Sequence, residues 1–134
     1  MKINDRYLFK AIDTNSVWRT GLLIALKGNR CAIEESDGSK WACDAKTLCQ
    51  CTGLKDKNGK LIWENDICDR KEEYPEIVKY NNGDWTLDYS YSQGKESGYC
   101  YCNLGFYALE RKYVEVIGNI FDNKELLESE ESNI

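Results

Sequence analysis

Short apolar segments alternate with clusters of turn residues along most of the chain. Gly, Asn, Asp or Ser separates each apolar segment from the next one. This rhythm is typical of consecutive antiparallel hairpins. The pattern predicts strands at 7–12, 17–26, 30–35, 40–43, 62–69, 77–80, 84–91, 99–103 and 113–120.

The segments between the predicted strands are polar. Residues 44–48 indicate one helical turn or a crossing loop, and Pro75 lies in a polar connection, away from the predicted strands. Asp122 or Asn123 can cap a short helix over 124–128. We therefore expect a mainly β fold, in which antiparallel hairpins form a curled sheet or a small (SH3-like) barrel with a short C-terminal helix.

Length and charge narrow the class of protein. The 134 residues are 42% hydrophobic, which predicts one ordered domain over 1–128 and an acidic, frayed tail over 129–134. The net charge is −5, of which −4 lies in residues 121–134, so the rest is nearly neutral. Duplex DNA requires clustered basic residues, so we do not expect it as a partner. The sequence has no apolar run long enough for a membrane span, and we expect a cytoplasmic protein in a bacterial host cell.

Cysteine and histidine limit the possible chemistry. The chain has no histidine, which excludes a histidine-based nucleophile or metal site. Its seven cysteines are expected to be reduced thiols. Cys49 and Cys51, with Cys100 and Cys102, could supply four sulfurs to Zn²⁺, but Cys-x-Cys lacks the turn of a zinc knuckle. Free cysteine also behaves as a small buried hydrophobe, so we expect no metal and no cofactor.

A charged hairpin at 52–67 offers two interpretations. Asp56, Asn58 and Gly59 have the composition of a tight turn. Glu64 and Asp66 lie at i and i+2, so they could form a catalytic acid pair on one face of a strand. Alternatively, Asp66 anchors a bend by accepting backbone N–H groups. The surrounding turn residues favour the structural interpretation, and we expect no catalytic residue here.

Aromatic residues recur at every second position of the predicted strand at 84–91. Trp85, Tyr89 and Tyr91 would share one face with Leu87. If the loop at 92–98 closes a hairpin, Tyr91 lies opposite Tyr99, and Tyr89 lies opposite Tyr101. This ladder is either the core face of a sheet or an interface, since buried tyrosine hydroxyls each need a partner. We favour an interface made by Trp85, Tyr89, Tyr91, Tyr99 and Tyr101, with a second copy of the chain as the expected partner.

Three segments resemble a known family. TGLKDKNGKLIWENDIC at 52–68, EVIGNIFDNKELL at 115–127 and YLFKAID at 7–13 are similar to segments of the YopX-like phage proteins. Asn65 stands where that family usually has glycine, and an asparagine can adopt the same left-handed backbone. The resemblance implies a phage or prophage origin and a mostly β fold. It implies no reaction and no catalytic residue.

The expected function is therefore non-enzymatic. We predict an accessory protein of phage or prophage type that acts by binding or assembly, with itself or with a host protein, and modulates a host process. The alternative is a module that binds a small ligand or single-stranded nucleic acid on the aromatic strand face. A basic rim beside the tyrosines would favour this alternative, and an acidic rim would argue against it.

Overall fold

The computed structural model describes residues 4–70, 74–89 and 101–128, without the side chains of Tyr101 and Arg111. The chain divides into two compact units, Met1–Gly53 and Leu54–Ile134. Antiparallel strands dominate both units, so the prediction of a mainly β fold is confirmed. The boundary lies at the start of the charged hairpin, which belongs mostly to the second unit.

The first unit is a strongly bent antiparallel sheet. Its strands are β1 (Phe9–Ile12), β2 (Trp18–Lys27), β3 (Arg30–Glu34), β4 (Lys40–Asp44) and β5 (Cys49–Lys55), in the order β4-β3-β2-β1-β5. The first part of β2 pairs with β1 and the second part pairs with β3. The change of partner falls after Gly21, where an added Cβ would lie 2.0 Å from the carbonyl oxygen of Glu34. Glycine is therefore required there for close backbone approach.

The expected small barrel does not close. An isolated bridge between Asp13 and Cys43 brings the end of β1 to β4, but no continuous ladder joins these strands among the described residues. The inner face of the sheet is apolar and buries Ala11, Cys31, Ile33 and Cys43. The first unit is thus a curled sheet over a small core.

The second unit contains a five-stranded antiparallel sheet. After β6 (Leu61–Trp63) come β7 (Asp66–Asp69), β8 (Glu76–Asn81), β9 (Asp84–Asp88), β10 (Tyr101–Asn103) and β11 (Glu115–Asn119), with the sheet order β10-β9-β8-β7-β11. Its core cluster contains the buried residues Ile62, Cys68, Val78, Leu87, Leu104, Ala108 and Val114. The last strand, β11, pairs with β7, which lies much earlier in the sequence.

Helical structure agrees with the predictions in one place and differs from them in two. Residues Ala45–Thr47 form one 3₁₀ turn, which is one of the two expected alternatives. The predicted C-terminal helix is only a 3₁₀ turn, Lys124–Leu127. A π-helical segment, Phe106–Arg111, was not predicted, because its aromatic and charged residues have no clear helical period over so short a length.

Candidate functional site

The turn of the charged hairpin is organised by Asp56. Its Oδ1 accepts hydrogen bonds from the backbone N–H groups of Asn58 and Lys60, both at 2.9 Å. Gly59 completes the turn with φ of 83°. The other carboxylate oxygen, Oδ2, accepts from the backbone N–H of Val116 at 2.9 Å. One buried carboxylate therefore holds both its own turn and the last strand.

The electrostatics of Asp56 agree with this role. Burial alone would raise the pKa of this carboxyl. Together, the hydrogen bonds from the N–H groups of Val116, Lys60 and Asn58 outweigh the effect of burial. The pKa of Asp56 therefore lies below its usual value. A carboxylate that accepts three backbone N–H groups is stabilised in its charged form. Asp56 is thus a fixed structural anion.

The bend between β6 and β7 contains Asn65 and Asp66. Asn65 has φ of 71°, the left-handed region in which glycine is common. Its N–H donates to Val78 O at 2.8 Å, and its carbonyl oxygen accepts from Ile120 N at 3.0 Å. Asp66 is buried, and its Oδ2 accepts from Trp63 N at 2.8 Å. This geometry supports the structural interpretation of the acid pair.

The segment at 115–127 forms a second backbone anchor. Gly118 leaves room for the side chain of Asn123, because an added Cβ would lie 2.5 Å from Asn123 Oδ1. That oxygen accepts from Asn119 N at 3.1 Å. The side-chain oxygen of Asn119 in turn accepts from Phe121 N and Asp122 N, both at 2.9 Å. These polar side chains build the turn after β11.

Two of the three segments that carry the family resemblance, 52–68 and 115–127, meet in the second unit. Besides the contact from Asp56 to Val116, Lys57 N donates to Val114 O at 2.8 Å, and β7 pairs with β11. These two segments therefore form one structural junction. Their polar groups bind backbone, which indicates a role in the scaffold.

The aromatic hairpin has a different register from the predicted one. Tyr101 pairs with Asp88, and Cys102 pairs with Leu87, so Tyr89 and Tyr101 are not a cross-strand pair. The predicted pairing was wrong by one residue, because the loop length alone does not determine register. Tyr91 and Tyr99 lie outside the described residues. Whether Trp85, Tyr89, Tyr91, Tyr99 and Tyr101 form an interface stays a prediction.

Trp85 lies where the core face of this hairpin meets solvent. Leu87 and its partner Val78 are fully buried on that face. Trp85 is half-buried and packs against the core, and its partner Tyr80 is 58% exposed. The two rings meet edge to face, with centroids 5.0 Å apart and planes inclined by 71°. This face of the hairpin therefore belongs to the core at Leu87 and Val78, and it ends in the exposed aromatic pair of Tyr80 and Trp85.

A buried ion pair in the same unit escaped the sequence analysis. Arg70 Nε contacts Glu76 Oε1, and both side chains are buried. The Arg70 guanidinium also donates to Cys102 Sγ at 3.1 Å and lies 4.3 Å from the ring centroid of Tyr107. Burial is the largest single influence and opposes the charge, but the hydrogen bond that Arg70 donates to Glu76 and the negative charge of that carboxylate act together against it, and the pKa of Arg70 is raised. Cys102 and Tyr107 are more than thirty residues from Arg70 in the sequence, and Arg70 adjoins a charged run that indicates a solvated loop.

The first unit has its own polar cluster around Arg19. Its Nε donates to Asp13 Oδ2 at 2.8 Å, and its guanidinium lies 3.4 Å from the ring centroid of Trp41. Trp41 Nε1 donates to Glu35 Oε1 at 2.9 Å. The hydrogen bond from Arg19 is the largest cause of the lowered pKa of Asp13, and the N–H groups of Val17 and Asn15 add to it. This cluster holds the strand ends together.

The cysteines are mainly packing groups. None of the six described cysteines forms a disulfide, and five of them are buried. Burial raises the pKa of Cys43 to about 11 and the pKa of Cys68 well above its usual range. Cys100 lies outside the described residues. In the described part of the chain, no three Cys, Asp or Glu side chains are grouped as a metal ion would require.

The geometry defines a class of protein: an antiparallel β protein of two compact units, whose signature polar residues support turns and a strand junction. None of its described helical segments is long and apolar enough to cross a membrane. A family model described as YopX protein matches residues 8–128. The chain therefore belongs to the YopX family, as its signature segments indicated. A search of the curated proteins found no match.

Proposed function

We propose that this chain is a non-enzymatic accessory protein of phage or prophage type that acts by binding or assembly and modulates a host process. The observation that carries the proposal is the aromatic pair Tyr80 and Trp85. Its rings continue the core face into solvent, and Tyr80 is more than half exposed. Tyrosine and tryptophan are enriched where a partner covers an apolar ring and leaves its polar group hydrated.

Further apolar side chains of the same unit support a protein partner. Phe106, Leu109 and Tyr113 are exposed on or just after the π-helical segment. Phe106 also packs edge to face against Tyr107, with ring centroids 5.1 Å apart. Short π-helical segments are frequent at functional sites. We call Tyr80, Trp85, Phe106, Leu109 and Tyr113 the exposed apolar residues of the second unit.

The polar signature residues support the non-enzymatic part of the proposal. Asp56, Asp66 and Asn119 direct their side-chain oxygens at backbone N–H groups. A catalytic acid needs a carboxyl aimed at a substrate and a pKa suited to proton transfer. Asp56 instead has a lowered pKa and a carboxylate enclosed by its own chain. We therefore assign these residues to the stabilisation of the fold.

Local charge argues against the nucleic-acid alternative. The described hairpin at 76–89 carries the acids Asp84 and Asp88 and one basic residue, Lys79, while its third acid, Glu76, is buried against Arg70. Single-stranded nucleic acid is bound where a positive groove follows the backbone beside stacked rings. An acidic rim repels phosphate, so we favour a protein partner.

The test is quantitative capture of host proteins by the immobilised full chain, followed by mass spectrometry. We compare the wild type with Tyr80→Ala and with Leu109→Ala. Tyr7→Ala is the matched control, because Tyr7 is a similarly exposed tyrosine of the first unit. The proposal expects a partner whose recovery falls at least about tenfold with Tyr80→Ala or Leu109→Ala, as for an interface hot spot, and not with Tyr7→Ala. Equal recovery by all four proteins would contradict it.

A further inference from the structure

The second half of β2 has an open edge. β2 pairs with β1 only from Trp18 to Gly21, and from Leu22 to Lys27 it pairs with β3 on its other side. Among the described strands, none pairs with the remaining edge of 22–27. Such an edge presents backbone N–H and C=O groups that can accept another strand.

The amino-acid composition of this edge favours pairing with another strand. Leu22, Ile24 and Leu26 are 41%, 43% and 58% exposed. Edge strands that must stay single usually carry charges, proline or a β-bulge. This one carries a single charge, Lys27, at its end, and a bulge between Leu23 and Ala25. An exposed apolar edge of this kind is suited to strand addition.

A β-bulge sets which residues share a face. The register of β2 against β3 shifts between Leu23 and Ala25. Directly paired residues of an antiparallel ladder point to the same face, so Leu22 shares a face with Glu34, and Lys27 with Arg30. Arg30 and Glu34 are four residues apart on β3 and therefore lie on one face. Leu22 and Lys27 consequently share that face, although they are five residues apart.

We propose that the open edge of β2 binds the same edge of a second copy of this chain, antiparallel about a two-fold axis. Leu22 of each copy lies opposite Lys27 of the other, and Leu23 lies opposite Leu26. Only the bulge makes this register consistent, because it brings each of these residues to the same face as its partner. The proposal rests on the assembly function proposed above and names the partner for this surface.

Charge complementarity supports a second copy as the occupant. Within one chain Lys27 lies opposite Arg30, a like-charge pair. Neither Lys27 nor Glu34 makes an ion pair with any described residue. In the proposed register, Lys27 of one copy lies on the same face as Glu34 of the other, two strand spacings or about 10 Å away at the backbone. Extended lysine and glutamate side chains can span this distance, and symmetry gives two such contacts.

The structure also has space beside this end of the strand. A cleft of about 500 Å³ is lined by Leu8, Leu22, Glu34 and Glu35, among other residues. The carboxylate of Glu34 and the two leucines match a lysine side chain, which has an apolar stem and a charged end, while Glu35 already binds Trp41 and Arg19. Lys27 of the second copy is the basic residue that the register brings there.

The test is sedimentation velocity of the full chain over a range of micromolar concentrations. The wild type is expected to be a dimer. Lys27→Glu and Glu34→Lys should each raise the dissociation constant at least about tenfold, because two attractive contacts become repulsive. The double variant should restore dimerisation. Lys46→Glu, the same charge change at another exposed lysine, should leave the dimer unchanged.

Thermal unfolding separates dissociation from misfolding. Lys27→Glu places a carboxylate opposite Arg30, so the monomer should be no less stable than the wild-type chain. A wild type that is monomeric throughout, or a dimer insensitive to Lys27→Glu, overturns the inference. If Tyr80→Ala dissociates the dimer and Lys27→Glu does not, the copies meet through the exposed apolar residues of the second unit. That result overturns this inference and leaves the proposed function, which the capture experiment tests independently.

Discussion

Asp56 Oδ2 lies 2.9 Å from the backbone nitrogen of Val116, sixty residues further along the chain. The contact joins two of the three segments that carry the family resemblance, 52–68 and 115–127. Each segment is a turn-rich sequence whose polar side chains bind backbone. Their shared junction explains why a small chain concentrates so many charged and amide residues around one hairpin.

Removing the carboxylate of Asp56 should destabilise the fold. Asp56→Ala removes the carboxylate that accepts from the N–H groups of Asn58, Lys60 and Val116, and a hydrogen bond to a charged group contributes roughly 1.5–3 kcal/mol. We expect a loss of about 3 kcal/mol or more in the free energy of unfolding, measured in urea. Asp37→Ala is the matched control, because Asp37 caps an exposed turn at Ser39 N. Equal losses in the free energy of unfolding for the two variants would show that the contact between Asp56 and Val116 does not contribute to stability.

Asp56 also makes stability depend on pH. Its folded-state pKa is lowered, so its contribution is fully present above the unfolded-state pKa of about 3.9 and is lost as the pH falls through the folded value. We expect the free energy of unfolding of the wild type to decrease between about pH 5 and pH 2. Asp56→Asn should show a smaller decrease. Asp13, whose pKa is also lowered, contributes the part that Asp56→Asn retains. Identical slopes for the two proteins would exclude the role assigned to Asp56.

The left-handed backbone at Asn65 predicts opposite effects for two substitutions. Asn65→Gly should keep or slightly raise the melting temperature, because glycine adopts φ of 71° without strain. Asn65→Ala should lower the free energy of unfolding by about 1 kcal/mol, since its Cβ opposes that conformation. Differential scanning calorimetry measures both. An alanine variant as stable as the glycine variant would mean that the bend relaxes.

The buried pair of Arg70 and Glu76 should be much more sensitive than an exposed pair. Glu76→Ala leaves the buried guanidinium without its carboxylate, which costs about 3–5 kcal/mol. Glu115→Ala removes the partner of Lys57 at a partly exposed site and should cost less than about 1 kcal/mol. Chemical unfolding compares the two variants. Similar losses of stability for Glu76→Ala and Glu115→Ala would argue against burial as the cause of the greater sensitivity of the Arg70 pair.

Local patterns predicted the strands well and the long-range pairings poorly. The hairpins of the first unit follow from turn residues and alternation, which are local signals. β5 was missed, because its cysteines, glycine and polar residues have weak strand composition. The register of Tyr101 was wrong by one residue, and one residue exchanges the two faces of a strand.

For the candidate sites, too, local features could be predicted from the sequence and long-range contacts could not. The turn at Asp56 and the bend at Asn65 could be inferred from sequence, since each depends on neighbouring residues. The contact from Asp56 to Val116 and the cluster of Arg70, Glu76 and Cys102 could not be inferred. They depend on which strands meet, and nothing in a single sequence specifies that.

The molar mass of the full chain in solution tests the central claim, assembly, most directly. Light scattering after size exclusion, at low and at high micromolar concentration, gives that mass without a label or a partner. The account predicts twice the 15.5 kDa of one chain at high concentration, and a lower mass for Lys27→Glu. A wild type that stays at the mass of one chain at every concentration would contradict it.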